Sequence, residues 1–245
     1  MLHDPSPEVL LDALEVMWMI EPDPEISIPL LLPLLTNTSG RVRTEASYVL
    51  GELTPLPEIA IDALTLALSD ENWVVRANSA RAVGRSGITS PHIAGELDKL
   101  LTDNREVAKC RAIEALARLY GPAAPECSSN FLPAMADANA MPSNPYCTLM
   151  LLNATSSLGS NPPPNAIREA DLHVLLTESA AYCCSEALAT LPLLRKASIE
   201  TVPALVLNAY LRFLQSHENG YIRQHASLAY SNAATQQPIT PSPSH

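Results

Sequence analysis

"VRANSARAVG", Val75–Gly84, repeats a pattern laid down by "VRTEASYVLG", Val42–Gly51, 33 residues earlier. Each reads valine, arginine, two variable residues, two small residues, a variable residue, two apolar residues and glycine. Another 33 residues on, "AKCRAIEALA" (Ala108–Ala117) keeps the base and the small and apolar positions, and "IRQHASLAYS" (Ile222–Ser231) fits near the C-terminus. Two looser copies, "MLLNATSSLG" (Met150–Gly159) and "AAYCCSEALA" (Ala180–Ala189), fall between them. The successive spacings are 33, 33, 42, 30 and 42. A period of this size is the mark of a solenoid, in which each unit buries its apolar face only against its neighbours.

Each copy is preceded by a second helical stretch: "EISIPLLLPLL", "PEIAIDALTLAL", "PHIAGELDKLL", "SNFLPAMADA", "AIREADLHVLL" and "VPALVLNAYLRFL". In the second of these, Ile59, Ala63, Leu64 and Leu66 are expected to form one apolar stripe. Turn and cap residues separate the two helices of a pair: Asn37–Gly40, Asp70–Asn72, Thr102–Asn104 and His217–Gly220. Their side-chain oxygens can accept from the free N–H groups opening the next helix. Prolines such as Pro57, Pro91, Pro122 and Pro162–Pro164 mark the boundaries between pairs.

Asp70, Val75, Arg76, Ala80, Ala82, Val83 and Gly84, with their parallels Val42, Arg43, Ala46, Leu50 and Gly51, resemble the HEAT-repeat family. The resemblance implies an all-α fold, an α-solenoid of about six helix pairs plus an N-terminal capping helix near residues 7–19. On this reading residues 1–235 form the solenoid, and the Pro/Ser-rich residues 236–245 form a disordered tail. The resemblance also implies a structural ladder in which Arg43 and Arg76 bond aspartates at neighbouring turns. Asp70 and Asp103 match the aspartate position; Asn37 and His217 depart from it.

Composition agrees with packed helices. Apolar residues make up 47% of the 245 and aromatics only 4%, and 22 prolines accompany 8 glycines. The net charge of −11 disfavours a phosphate backbone as partner, so a protein with a basic surface is the better electrostatic match and nucleic acid is not expected. Residues 1–40 hold seven acids and no lysine or arginine. Five cysteines without a CxxC spacing give neither a disulfide framework nor a zinc pattern, and a reducing compartment follows. With no signal-like segment at the start and no apolar run above eight residues, a cytoplasmic protein without membrane contact is expected.

No GxSxG, HExxH, Walker A or GxGxxG motif is present. HEAT-like hydroxylases hold two irons with several His-Glu dipeptides, and this chain has one, His217-Glu218. His92 and Glu96 share a helix face, but two ligands are too few for a closed metal site. Cys183 and Cys184 occupy small-residue positions and read as small hydrophobes. No cofactor, metal or catalytic residue is therefore expected. The expected function is a non-enzymatic protein-binding module, an adaptor, scaffold or immunity-type inhibitor; the alternative is a HEAT-scaffold enzyme such as a bilin-lyase-like or metal-hydroxylase-like protein.

In HEAT solenoids the second helices line the concave face, and the variable template positions are expected to project from it. These are Glu45, Tyr48, Asn78, Arg81, Arg111, Glu114, Tyr182, Glu186 and His225, together with Asn153, Ser156 and Leu228. Tyr and Arg suit protein recognition, as does a terminal tryptophan such as Trp18; Trp73 suits either recognition or packing on the next repeat.

Overall fold

The computed structural model describes residues 4, 6–19, 23–53, 55–140 and 145–159, and these form helices and turns with no strand among them. A single helix, α1 (Pro7–Met19), leads four helix pairs. The first pair is α2 (Pro24–Leu31), prolonged by a 3₁₀ turn over Leu32–Thr36, with α3 (Gly40–Glu52). Next come α4 (Glu58–Ala67) with α5 (Trp73–Ser86), and α6 (Pro91–Leu100) with α7 (Glu106–Tyr120). A 3₁₀ turn over Gly121–Ala123 and the short α8 (Ala124–Cys127) intervene before α9 (Phe131–Ala140) and α10 (Pro145–Ser157).

The stack is built on its second helices. α3 packs on α5, α5 on α7 and α7 on α10, and α1 packs on α3, so the leading helix heads the second-helix row. The core runs along this row from Leu10 and Leu14 through Leu50, Val83 and Leu116 to Met150, and takes in Phe131 at the start of α9. Small residues set the spacing between helices. A Cβ on Gly84 would lie 2.7 Å from the Cα of Ala115, and one on Gly51 would lie 3.3 Å from the Cβ of Ala82. The template glycine is thus a close-approach position on consecutive helices.

Three features differ from the sequence reading. "EISIPLLLPLL" is an α-helix followed by a 3₁₀ turn rather than one helix: Pro33 has no N–H to continue the ladder, so the chain tightens there. The 42-residue step between the third and fourth copies contains the extra 3₁₀ turn and α8, which the period alone does not place. The stripe on α4 also faces the other way. Leu64 is buried, but Ile59 and Leu66 are 65% and 73% exposed, and α4 turns Ala60, Ile61, Leu64 and Ala67 inward. Because apolar residues surround most of α4, periodicity fits two faces, and packing on α5 selects one of them.

Turn chemistry repeats as strictly as the helices. The Oδ1 atoms of Asn37, Asp70 and Asp103 accept from the backbone N–H two residues on, at 2.8, 2.7 and 2.7 Å. Asn72 then caps α5 by accepting from Val74 N–H, and Gly87 closes that helix in the left-handed region at φ 72°. Cys110 and Cys147 are fully buried. A hydrogen bond with Cys110 and then burial push the Cys147 thiol up from its ordinary range, which keeps it protonated. The fifth and sixth expected pairs, and the tail, lie outside the described residues.

Candidate interaction surface

Two rows of polar contacts tie the repeats together, and they decide which side chains remain for a partner. The first row lies at the turns. Arg43 donates from Nε and Nη2 to both carboxylate oxygens of Asp70, at 2.7 and 3.0 Å, and from Nη2 to Glu71 at 2.9 Å. Its Nη1 donates to the carbonyls of Asn37 and Thr38 in its own repeat. Arg76 copies this geometry one repeat on: Asp103 accepts its Nε and Nη2 at 2.7 and 3.0 Å, and the carbonyls of Asp70 and Glu71 accept its Nη1. The Asp70 hydrogen bond, ahead of the opposing effect of burial, raises the Arg43 pKa, so its guanidinium stays charged. In the third repeat a lysine replaces the arginine. Lys109 reaches Asp137 in one contact of 3.3 Å, and Asp137 is largely exposed.

The two kinds of rung differ in worth. Truncating one partner of a buried, bidentate pair strands a charge, whereas an exposed single contact contributes little. Asp103→Ala is expected to cost about 3 kcal/mol of unfolding free energy, and Asp137→Ala under ~1 kcal/mol. Urea titrations of the two variants check this; equal losses would show that the rungs do not act as ion pairs.

The second row runs along the seam between second helices. Arg81 on α5 pairs with Glu52 on α3 and lies 5.9 Å from the Tyr48 ring centroid. Arg85 donates to the same Glu52 carboxylate at 3.4 Å and to the Gly51 carbonyl at 3.2 Å. Asn78 donates to the Thr44 carbonyl and to Ser47 Oγ. One repeat on, Glu114 accepts from Arg111 at 2.7 Å, from Arg118 at 3.5 Å and from Asn153 of α10 at 2.8 Å.

The expectation that the variable positions project outward is therefore corrected for Asn78, Arg81, Arg111 and Glu114, all of which are buried. The cause is the close helix spacing. Side chains flanking the glycine contacts lie along the seam and take partners there, which offsets their desolvation. Glu45 is exposed and Tyr48 and Asn153 are half-buried. Although much of Glu45 meets solvent, protein atoms crowd its carboxylate, and this desolvation, then the nearby Glu15 carboxylate, push its pKa above the ordinary range, with Arg41 opposing. Tyr182, Glu186, His225 and Leu228 lie outside the described residues, as do the His217-Glu218 and Cys183-Cys184 dipeptides and the side chain of Trp18.

Sequence reasoning missed Glu52 and Arg118 and left Arg85 free for function, whereas Arg85 is tied to Glu52. All three occupy the position just after the template glycine or its equivalent, and reading the repeat one residue further would have found a polar triplet. Trp73 is half-buried and carries the Arg105 guanidinium 5.5 Å from its ring centroid. Glu96 pairs with Lys99 rather than with His92. Among the described residues no cluster of three His, Cys, Asp or Glu is arranged to hold a metal, and no helix is long and apolar enough to cross a membrane.

Comparison with known proteins gives one family match: residues 1–84 fit the HEAT repeats model. No curated protein sequence matches the chain. Similar solved structures include a designed armadillo repeat protein, 16% identical, over 94% of this chain and 95% of that one at a TM-score of 0.48. Another designed armadillo repeat protein, in complex with the peptide (KR)4, is 16% identical over 94% and 95% at 0.47. The CpcE–CpcF complex of phycocyanin lyase from Nostoc sp. PCC7120 is 20% identical over 81% of this chain and 73% of that one, at 0.44.

Proposed function

We propose, from the premise that residues 1–84 are HEAT repeats and that the described helices beyond them continue the same stack, that this protein is a non-enzymatic protein-interaction module. It serves as an adaptor, scaffold or inhibitor and offers its second-helix face to a partner with a basic surface. One observation carries the reading: the buried charged side chains of the described stack pair with one another across and along the helices. They are spent on holding an extended surface in shape rather than converging on a reacting centre. Glu45, with Glu15 beside it on α1, is the accessible acidic part of that face.

The test begins with capture of a partner on the full chain and continues with titration of the purified pair. Glu45→Lys is expected to weaken binding roughly tenfold without lowering the melting temperature. Ionised Glu45 favours a cationic partner, so affinity is full above its pKa and is lost as pH falls through it. Because that pKa is raised, the loss begins at a higher pH than for an ordinary glutamate, and Glu45→Gln abolishes this part of the pH dependence. Unchanged affinity in Glu45→Lys would sink the assignment of this face. Charge reversal at Arg81 and Arg111 is not a surface test, since both are buried, and it is expected to lower stability instead.

A further inference from the structure

The first-helix layer holds a feature that the second-helix reading leaves unused. A groove of about 590 Å³ runs between the 3₁₀ turn and α4, walled by Leu32, Leu35, Ala63, Leu66 and Ala67 and closed at one end by the Ser69–Glu71 turn. Leu66 stands over it 73% exposed, and Ile59, two turns earlier, continues the same face of α4 at 65%. Ile26 on α2 is 64% exposed in the same layer. Exposed large apolar side chains gathered beside a groove are a feature of binding surfaces.

The charges around it are acidic but for Arg43, which also lines the groove. Asp62 lies between Ile59 and Leu66, Glu58 opens α4, and Asp70 and Glu71 line the groove. Glu58 and Asp62 form no ion pair among the described residues. Residues 1–75 contain thirteen acids and only two bases, Arg41 and Arg43, a net of −11 that equals the charge of the whole chain; residues 76–245 are neutral. Arg43 is spent on Asp70 and Glu71. The field over the groove thus repels phosphate, anionic lipid and a second copy of the same face, and attracts a cation.

We propose that this groove is a second docking surface, taking an amphipathic basic helix of a partner protein. Its apolar side chains, spaced at one and two helical turns, enter between the 3₁₀ turn and α4, and its lysines or arginines meet Glu58, Asp62 and Glu71. The surface lies on the opposite layer from Glu45 and stands independently of the function proposed above.

The probe is a labelled synthetic peptide of leucine and lysine in an amphipathic helical pattern, titrated against the full chain by fluorescence anisotropy. One control has glutamate for lysine, and another has the same composition in scrambled order. The wild-type chain is expected to bind the first peptide and neither control, with affinity falling as salt rises. Leu66→Asp, and separately Glu58→Lys with Asp62→Lys, are each expected to weaken binding roughly tenfold, with circular dichroism confirming an intact fold. Glu45→Lys, on the other face, is expected to leave it unchanged. Equal binding of either control peptide, no binding, or a dimer in sedimentation equilibrium that Leu66→Asp dissociates would each overturn the proposal.

Discussion

Replacing Glu114 by alanine is expected to remove about 3 kcal/mol of stability, the cost of taking one partner out of a buried ion pair. Its carboxylate takes donors from Arg111 and Arg118 on its own helix and from Asn153 on α10. Arg111 is only 1% exposed, so water cannot replace the carboxylate that is removed. The double variant Arg111→Met with Glu114→Leu removes both charges and fills similar volume, and it is expected to lose far less than Glu114→Ala alone. Urea midpoints at an unchanged m-value provide the comparison. A loss below about 1 kcal/mol for the single variant would mean that the pair behaves as if on the surface.

Gly84→Ala is the second large effect. In an ordinary helical position, alanine for glycine stabilises by about 0.5–1 kcal/mol, and Gly95, with nothing near its would-be Cβ, is expected to follow that rule. At Gly84 the new methyl falls 2.7 and 2.8 Å from the Cα and Cβ of Ala115, so α5 and α7 must separate. The expected loss is about 3 kcal/mol, at the upper end for overpacking. At Gly51 the nearest atom is a methyl carbon at 3.3 Å, and the change is expected to be small. Thermal melts of the three variants check the order: Gly95→Ala up, Gly51→Ala near zero, Gly84→Ala sharply down.

How far the sequence could be read depended on whether a residue's role repeats. Arg43, Arg76, Asp70 and Asp103 recur at one register and meet in the structure as that register implies. Gly51 and Gly84 recur as well, and both sit where helices touch. Asn78, Arg81, Arg111 and Glu114 did not declare themselves, because the template marks them as variable. A variable residue need not face water: each seam contact is settled by what the neighbouring helix offers, Glu52 for Arg81 and Asn153 for Glu114. The period of α4 failed for another reason. With apolar side chains on most of its circumference, it has two candidate inner faces, and only contact with α5 distinguishes them. The exposed stripe that results is the wall of the groove on the first-helix side.

The turn ladder gives the stack a direction. Each arginine is steadied by the carbonyls of its own repeat and reaches forward, never back, to the aspartate of the next. The links are hooks that all open the same way. At the head, Asn37 keeps the turn geometry without the charge, and at the third link Lys109 offers a single loose grip. A strain applied at the head therefore passes through two firm clasps before it meets a weak one. Beyond that link the stack is held by the packing of α7 on α10 and by Asn153 on Glu114 rather than by a turn ion pair.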